Sequence, residues 1–370
     1  MRKLIRQNIL WVILSFINVA YPRVEVIDQK DKLHLHLEYG DTCISEPVLV
    51  ELIKSPAFER LKHIHQYGIT HHAQVKGDFS RYDHSLGVFF LTRNYGAPLS
   101  EQVAALLHDV SHTVFSHVGD HIYNCRLKKS SYQDEIHDWY LEKSGIASIL
   151  QRYGVGNCCT QQAKKCQRCF EQDLPDLCAD RIEYNLRGGL VDGLITQEEV
   201  GRLLQSLRFH DGVWFFDDVE HAKKFGLVSL QLSESRWGAA WNVFVDACAC
   251  QAIKRALALG LITTHDVHFS TDDVVWHILA TSTDTALAEQ MWRIAHWQDC
   301  YCVCPPEESD LHLKGKFSGT NPWVQTAQGL MRLTELDSDY AAEFERIKEL
   351  VTKGFFVKLR PTCHESHTVQ

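Results

Sequence analysis

The sequence predicts a mainly α-helical chain with a small β-hairpin near its start and a mostly helical C-terminal extension. Three observations carry that reading. Apolar residues recur at helical period in four successive segments between Pro47 and Val110, and strict alternation is confined to a stretch around residues 24–37. A second set of periodic segments fills the chain beyond Trp237. A hydrophobic content of 45% over 370 residues is enough to build one large domain or two smaller ones without covalent staples.

Taken in order, Val24 and Val26, then Leu33, Leu35 and Leu37, alternate on either side of polar Asp28 to Lys32, the pattern of a β-hairpin. VLVELIK follows as a lead-in helix and completes a unit over residues 24–54. FERLKHIHQYG, SLGVFFLTRNY and SEQVAALLHDV each predict about two helical turns, with Ser100 as the N-cap of the last. Further helices are expected over Ile136 to Glu142 and through Leu177 to Leu186, a strand over Val213 to Phe216, and a long helix from Trp237 to Leu261. STDDVVWHILATS reads as a helix capped at Thr271. The boundaries drawn from these signals are 1–23, 24–54, 55–235 and 236–370, without an internal repeat or a low-complexity linker.

Charge narrows the function classes. With 38 Lys plus Arg against 47 Asp plus Glu, the net charge of -9 excludes the basic footprint of nonspecific nucleic-acid binding, so any phosphate recognition has to be local. The 13 cysteines include the close groups Cys158-Cys159, Cys248-x-Cys250 and Cys300-x-Cys302-x-Cys304, which fit free thiols in a reducing cytoplasm better than a disulfide framework. Cys166-x-x-Cys169, with Cys158, Cys159 and Cys178 nearby, has zinc-site spacing as the alternative. Residues 1–23 pull the other way on compartment: Arg2, Lys3 and Arg6 precede ILWVILSFINVA, which resembles the charged and hydrophobic regions of a signal peptide. That apolar run is too short to span a bilayer, so no transmembrane segment is expected, and a buried first helix or a start codon set too far upstream also accounts for it.

The chemistry concentrates in LLHDVSHTVFSH. On a continuous helix His108 and His112 would share a face, and a carboxylate buried between imidazoles, Asp109, is costly unless paired or metal-bound. Imidazole with carboxylate oxygen suits manganese, iron, zinc or nickel. One histidine among 21 says little alone. Taken together, SRYDHSLGV at 80–88, ALLHDVSHTVFSH at 105–117 and ADRIEY at 179–184 resemble the H…HD…D signature of the HD superfamily. Within it, SPAFERLKHIHQYG resembles the "TPxFQRLRxIxQLG" helix of the SAM-and-HD-domain type deoxynucleoside triphosphate triphosphohydrolases and their bacterial relatives. SRYDHSLGV is similar to their "xRFEHSLGV", and LLHDVSHTVFSH to their "LxHDxGHGPFSH".

The resemblance implies an HD-domain helical bundle over 55–235, with one divalent transition metal held by His84, His108, Asp109 and Asp180, and magnesium accompanying the substrate phosphates. It implies catalytic roles for His112, His117, Asp120 and His137 and substrate contacts from Gln66, Arg81, Arg181 and Tyr184. The expected partner is a small nucleotide, and homo-oligomers are common among such relatives. The expected reaction is hydrolysis of a dNTP to deoxynucleoside and inorganic triphosphate. Departures from the pattern are Ser111 for a glycine, Thr113-Val114 for Gly-Pro, Gly188 for an aspartate, Leu232-x-Glu234 for a tyrosine-bearing segment, and Lys223 or Lys224 for a phosphate-binding arginine. These leave open a phosphohydrolase for another nucleotide or phosphomonoester, or a non-catalytic HD module that binds nucleotide or protein.

Overall fold

The computed structural model describes residues 23–360 except 74, 76, 124–130, 157, 158 and 160–167. The apolar leader, Cys158 and Cys166 therefore lie outside the described residues. The chain opens on β1 (Glu25–Gln29), β2 (Lys32–Leu37) and β3 (Gly40–Ile44), an antiparallel meander in which Val26 pairs with Leu35 and Leu35 with Thr42. Leu33, Leu35 and Leu37 enter the core as expected. The third strand was not expected: GDTCI lacks an alternating apolar face, and it is held by its backbone pairing, by Ile44 and by the contact of Asp41 with His36 at 2.9 Å.

α1 (Pro47–Ile53) begins on proline, whose missing N–H costs nothing at a helix start. The segment FERLKHIHQYG corrects the sequence expectation. It breaks into α2 (Pro56–Glu59), a 3-10 turn at Arg60–His63, extended chain at Ile64 and a second 3-10 turn at Gly68–His71. Tertiary acceptors take the amides that a helix would use: the Asp272 carboxylate accepts from His65 N at 2.9 Å and Asp78 accepts from Tyr67 N at 3.2 Å. Gly68, at φ +59, lies against the Phe115 carbonyl, where a side chain would collide.

α3 (Arg81–Asn94) is fixed by a capping box between Ser80 and Asp83, and every residue from Arg81 to Thr92 is buried. It packs against α4 (Leu99–Leu107) and α8, with α5 (Val118–Ile122), α6 (Tyr132–Lys143), α7 (Ile146–Arg152) and α8 (Ala179–Val191) completing the bundle. The cap of α4 is Pro98 rather than Ser100, and the helix stops at Leu107, so His108 to His112 form a turn and not a continuous helix. Phe115 and Ser116 then adopt positive φ values of 57° and 55°, which turns the chain before α5.

Beyond the bundle come α9 (Gln197–Ser206), β4 (Leu207–His210), β5 (Val213–Phe216) and α10 (Val219–Leu232). A π-helical turn at Ser233–Trp237 and Gly238 precede α11 (Ala240–Ala258), which is shorter than the Trp237 to Leu261 expected. α12 (Thr264–Phe269) and α13 (Asp272–Ala280) follow; α13 starts after Thr271 as predicted, although the threonine side chain does not cap it. α14 (Thr285–Ala295) packs along α11. The C-terminal extension is helical but carries strands as well. Trp323–Thr326 pairs in parallel with β5 and antiparallel with Gly329–Arg332, and Phe355–Leu359 sits between Tyr301–Val303 and Leu311–Leu313. Among the described residues no helix is long and apolar enough to cross a membrane.

The contact of α3 with α8 depends on Gly87, because a β-carbon there would overlap the fully buried Glu183 carboxylate. Gly87→Ala is expected to destabilise the fold by about 1–3 kcal/mol through overpacking, read as a lowered urea midpoint with unchanged slope. An unchanged midpoint would show that the two helices are free to separate.

Candidate metal centre and active site

Three elements converge on one buried point. α3 contributes His84, the turn after α4 contributes His108 and Asp109, and the first turn of α8 contributes Asp180. His84 Nε2 lies 2.9 Å from Asp180 Oδ1, 3.2 Å from His108 Nε2 and 3.7 Å from Asp109 Oδ2, while His108 Nε2 lies 3.4 Å from Asp109 Oδ1. Donor atoms at these separations suit metal–ligand bonds of about 2.0–2.2 Å.

Hydrogen bonding at the far side of each ring decides what the near side offers. The Nδ1–H of His84 donates to Glu183 Oε2 at 2.5 Å, and that of His108 to the Ala105 carbonyl at 2.7 Å. With Nδ1 donating, each ring turns its Nε2 toward the other and toward the carboxylates of Asp180 and Asp109, so the gap between the donors calls for a shared cation, a proton or a metal ion. Burial opposes charge on His84, yet Glu183, Asp180 and Asp109 raise it to about 10, and His108 is raised in the same sense. Asp109 is held well below the usual carboxylate range, since Arg81 and His108 outweigh its burial. The pocket thus stabilises positive charge at this point, and its donor set fits one divalent transition ion.

Behind the donors runs a chain of compensating charges. Glu183 also accepts from Arg187 Nε at 2.6 Å and from the Tyr39 hydroxyl at 2.9 Å, and Arg187 pairs with Glu38 at 3.0 Å. Sequence reasoning missed Glu183, although its position three residues after Asp180 places both on one face of α8. Arg81 pairs with Asp109 and donates through Nε to Ser116 Oγ at 2.7 Å, leaving Nη2 buried without a partner. Ser116 was missed as well, since serine in a loop gives no periodic signal.

Beside the centre, His112 Nε2 lies 3.2 Å from Asp109 Oδ1, and its ring stands edge-on to His117 with centroids 5.1 Å apart. Burial and then Arg81 depress His112 to about 3, so it is neutral at physiological pH, and its Nδ1 has no hydrogen-bond partner. His117 is 58% exposed and meets Asp120 at 3.3 Å, and the other oxygen of Asp120 accepts from Tyr132 N at 2.6 Å. His137 is buried farther back, with Nδ1 2.9 Å from Ser111 Oγ, the residue standing where the resemblance expects glycine.

The residues expected to contact nucleotide divide. Arg81 reaches the centre, and Tyr184 lies between His84 and Trp237, with ring centroids at 6.5 and 5.8 Å. Arg181 turns to the backbone carbonyls of Asp176 and Gln172, with Nε unpartnered. Gln66 is held through its backbone to Phe79, and its Oε1 is buried without a partner. Lys223 and Lys224 are paired with Asp337 at 2.6 Å and Glu199 at 3.0 Å, and Glu234 with Arg346.

A model of the HD domain matches residues 81–148. The chain is 35% identical over 321 residues to uncharacterized protein YdhJ of Bacillus subtilis, covering 87% of this chain and 97% of that protein. It is 38% identical over 178 residues to the metal-dependent phosphohydrolase cns2 of Cordyceps militaris, covering 46% of this chain and 48% of that protein, so the match spans about half the relative's length. Deoxynucleoside triphosphate triphosphohydrolase SAMHD1 of Bos taurus is 26% identical over 163 residues, covering 38% of this chain and 26% of that protein. A Bacteroides thetaiotaomicron phosphohydrolase structure superposes with a TM-score of 0.65 at 15% identity, covering 91% of this chain and all of that chain, which shows a shared fold. With one relative matched over nearly its whole length, and the histidines and aspartates of the signature meeting at one buried point, the chain belongs to the HD-domain family of metal-dependent phosphohydrolases.

Proposed function

We propose that the chain hydrolyses a dNTP to deoxynucleoside and inorganic triphosphate at the centre formed by His84, His108, Asp109 and Asp180. The observation that carries this reading is the placement of an exposed histidine–carboxylate pair, His117 and Asp120, beside a buried cation pocket that Arg81 also enters. The sequence flanks shared with the triphosphohydrolases support the substrate class. A divalent ion bound by the four donors would supply Lewis-acid polarisation of a phosphoryl oxygen and acidify water at neutral pH.

The protein groups around it take distinct parts. Arg81 is anchored by Asp109 and Ser116, which leaves Nη2 to meet a phosphate oxygen, where a charge-assisted bond is strongest. His112 stays neutral and positions Asp109 by donating from Nε2. His117 then delivers the proton: water adds to the α-phosphorus, the bond to the 5′ oxygen breaks, and His117 protonates that oxygen as it leaves. Asp120 orients the imidazole. A phosphomonoesterase or a hydrolase of another nucleotide is the second reading, favoured by Gly188 in place of an aspartate and by the internal ties of Arg181, Lys223 and Lys224.

Purified protein stripped and reloaded with manganese, iron or magnesium is expected to convert at least one dNTP to deoxynucleoside plus triphosphate on chromatography. Release of orthophosphate or pyrophosphate instead would favour the second reading, and no product from any phosphorylated substrate would favour a binding module. His117→Gln is expected to lower kcat by about 10²–10⁴. Turnover by the variant at the wild-type rate would refute the assignment. Asp180→Ala should bind less metal and lose turnover together, and loss of turnover with full metal occupancy would separate Asp180 from the ligand set.

A further inference from the structure

The loop that replaces the expected helix over FERLKHIHQYG gathers a donor set outside the H…HD…D signature. His65 Nδ1 lies 2.6 Å, and His71 Nδ1 3.2 Å, from the same oxygen of Asp78, Oδ2. The two rings stack with centroids 3.6 Å apart and 11° between planes, so both point one nitrogen at one carboxylate oxygen. Asp78 is buried, and its other oxygen is occupied by the Tyr67 amide at 3.2 Å, which fixes the carboxylate in place. His72 stacks on Trp276 at 4.2 Å and has a buried Nε2 with no hydrogen-bond partner, and it joins His65 and Asp273 in a second donor group that shares His65.

Two imidazoles in parallel contact gain little from each other if both carry protons, because their charges are then held face to face. One cation bound by both nitrogens and the carboxylate removes that repulsion and uses all three groups at once. The ring of His71 is 43% exposed, so an ion can reach the donors without opening the core.

We propose that His65, His71 and Asp78 form a second transition-metal site, separate in its donors from the hydrolytic centre. Two imidazoles and a carboxylate suit zinc, cobalt, nickel, manganese or iron, and three protein donors leave at least one position for water. The site ties the Gly68–His71 turn to the strand-like segment leading into α3. Its occupancy reaches the catalytic side through backbone: the His65 carbonyl accepts from Ser116 Oγ at 2.6 Å, and Ser116 Oγ accepts from Arg81 Nε at 2.7 Å. An ion there would hold the loop that positions Arg81 and Gln66.

Cobalt(II) titration of the full-length metal-free protein tests this, with bound metal counted by mass spectrometry and ligand type read from absorption. Wild type is expected to take up two equivalents, neither of them with sulfur-to-cobalt charge transfer, and one of them is removed in His71→Ala. Asp180→Ala should keep that equivalent and lose the other. Asp78→Asn, which retains an oxygen to accept from Tyr67, provides a second variant with circular dichroism as the check on folding, and it should lose the same equivalent as His71→Ala. Uptake of a single equivalent by wild type, or a second equivalent that survives in both folded variants or carries the sulfur band, would overturn the proposal.

Discussion

Everything at the centre follows from having to hide carboxylates from water. Asp109 and Glu183 are buried, and a buried anion is tolerated only with a positive partner in contact. Arg81 serves Asp109, Arg187 serves Glu183, and His84 stands between them, so removing any one partner leaves an uncompensated charge in the interior. The position of α3 against α8 is therefore fixed by charge as much as by packing. Phosphohydrolase chemistry uses the same arrangement: the place where positive charge is most stabilised is the place where a cation and a phosphate can meet.

Of the residues that meet at the centre, His108 and Asp109 are a doublet in the chain, whereas His84 and Asp180 were legible only through the resemblance of their flanks to a family signature, and Glu183 was not read at all. The fold class was legible because SLGVFFLTRNY and VLVELIK form the helices that their periodicity predicts. FERLKHIHQYG shows where that logic ends. Its apolar spacing is helical, but Asp272, distant in sequence, takes the His65 amide, and tertiary hydrogen bonds override local preference. His108 to His112 behave likewise, because the His108 side chain bonds back to Ala105 where the helix stops.

The residues expected to contact nucleotide were less legible, because side chains of one type find different partners in the fold. Arg81 and Arg181 are both arginines next to signature positions and look equivalent in sequence. In the fold one is poised against Asp109 and the other is bound to the carbonyls of Gln172 and Asp176. A similar split separates the two histidines that sequence could not rank. His112 is buried beside Arg81, which disfavours a proton, whereas His117 opens to solvent beside Asp120.

The parallel pairing of β5 with Trp323–Thr326 bears on how the chain comes to be folded. Residues of the bundle side are synthesised long before the strand that covers their edge, so during synthesis β5 presents unpaired backbone groups to any passing strand. Closing a loop of that length is slow compared with forming the helices of the bundle. The C-terminal strands thus act as a late lock on an already helical core, and truncation before Trp323 would expose an adhesive edge while leaving His84, His108, Asp109 and Asp180 in the chain.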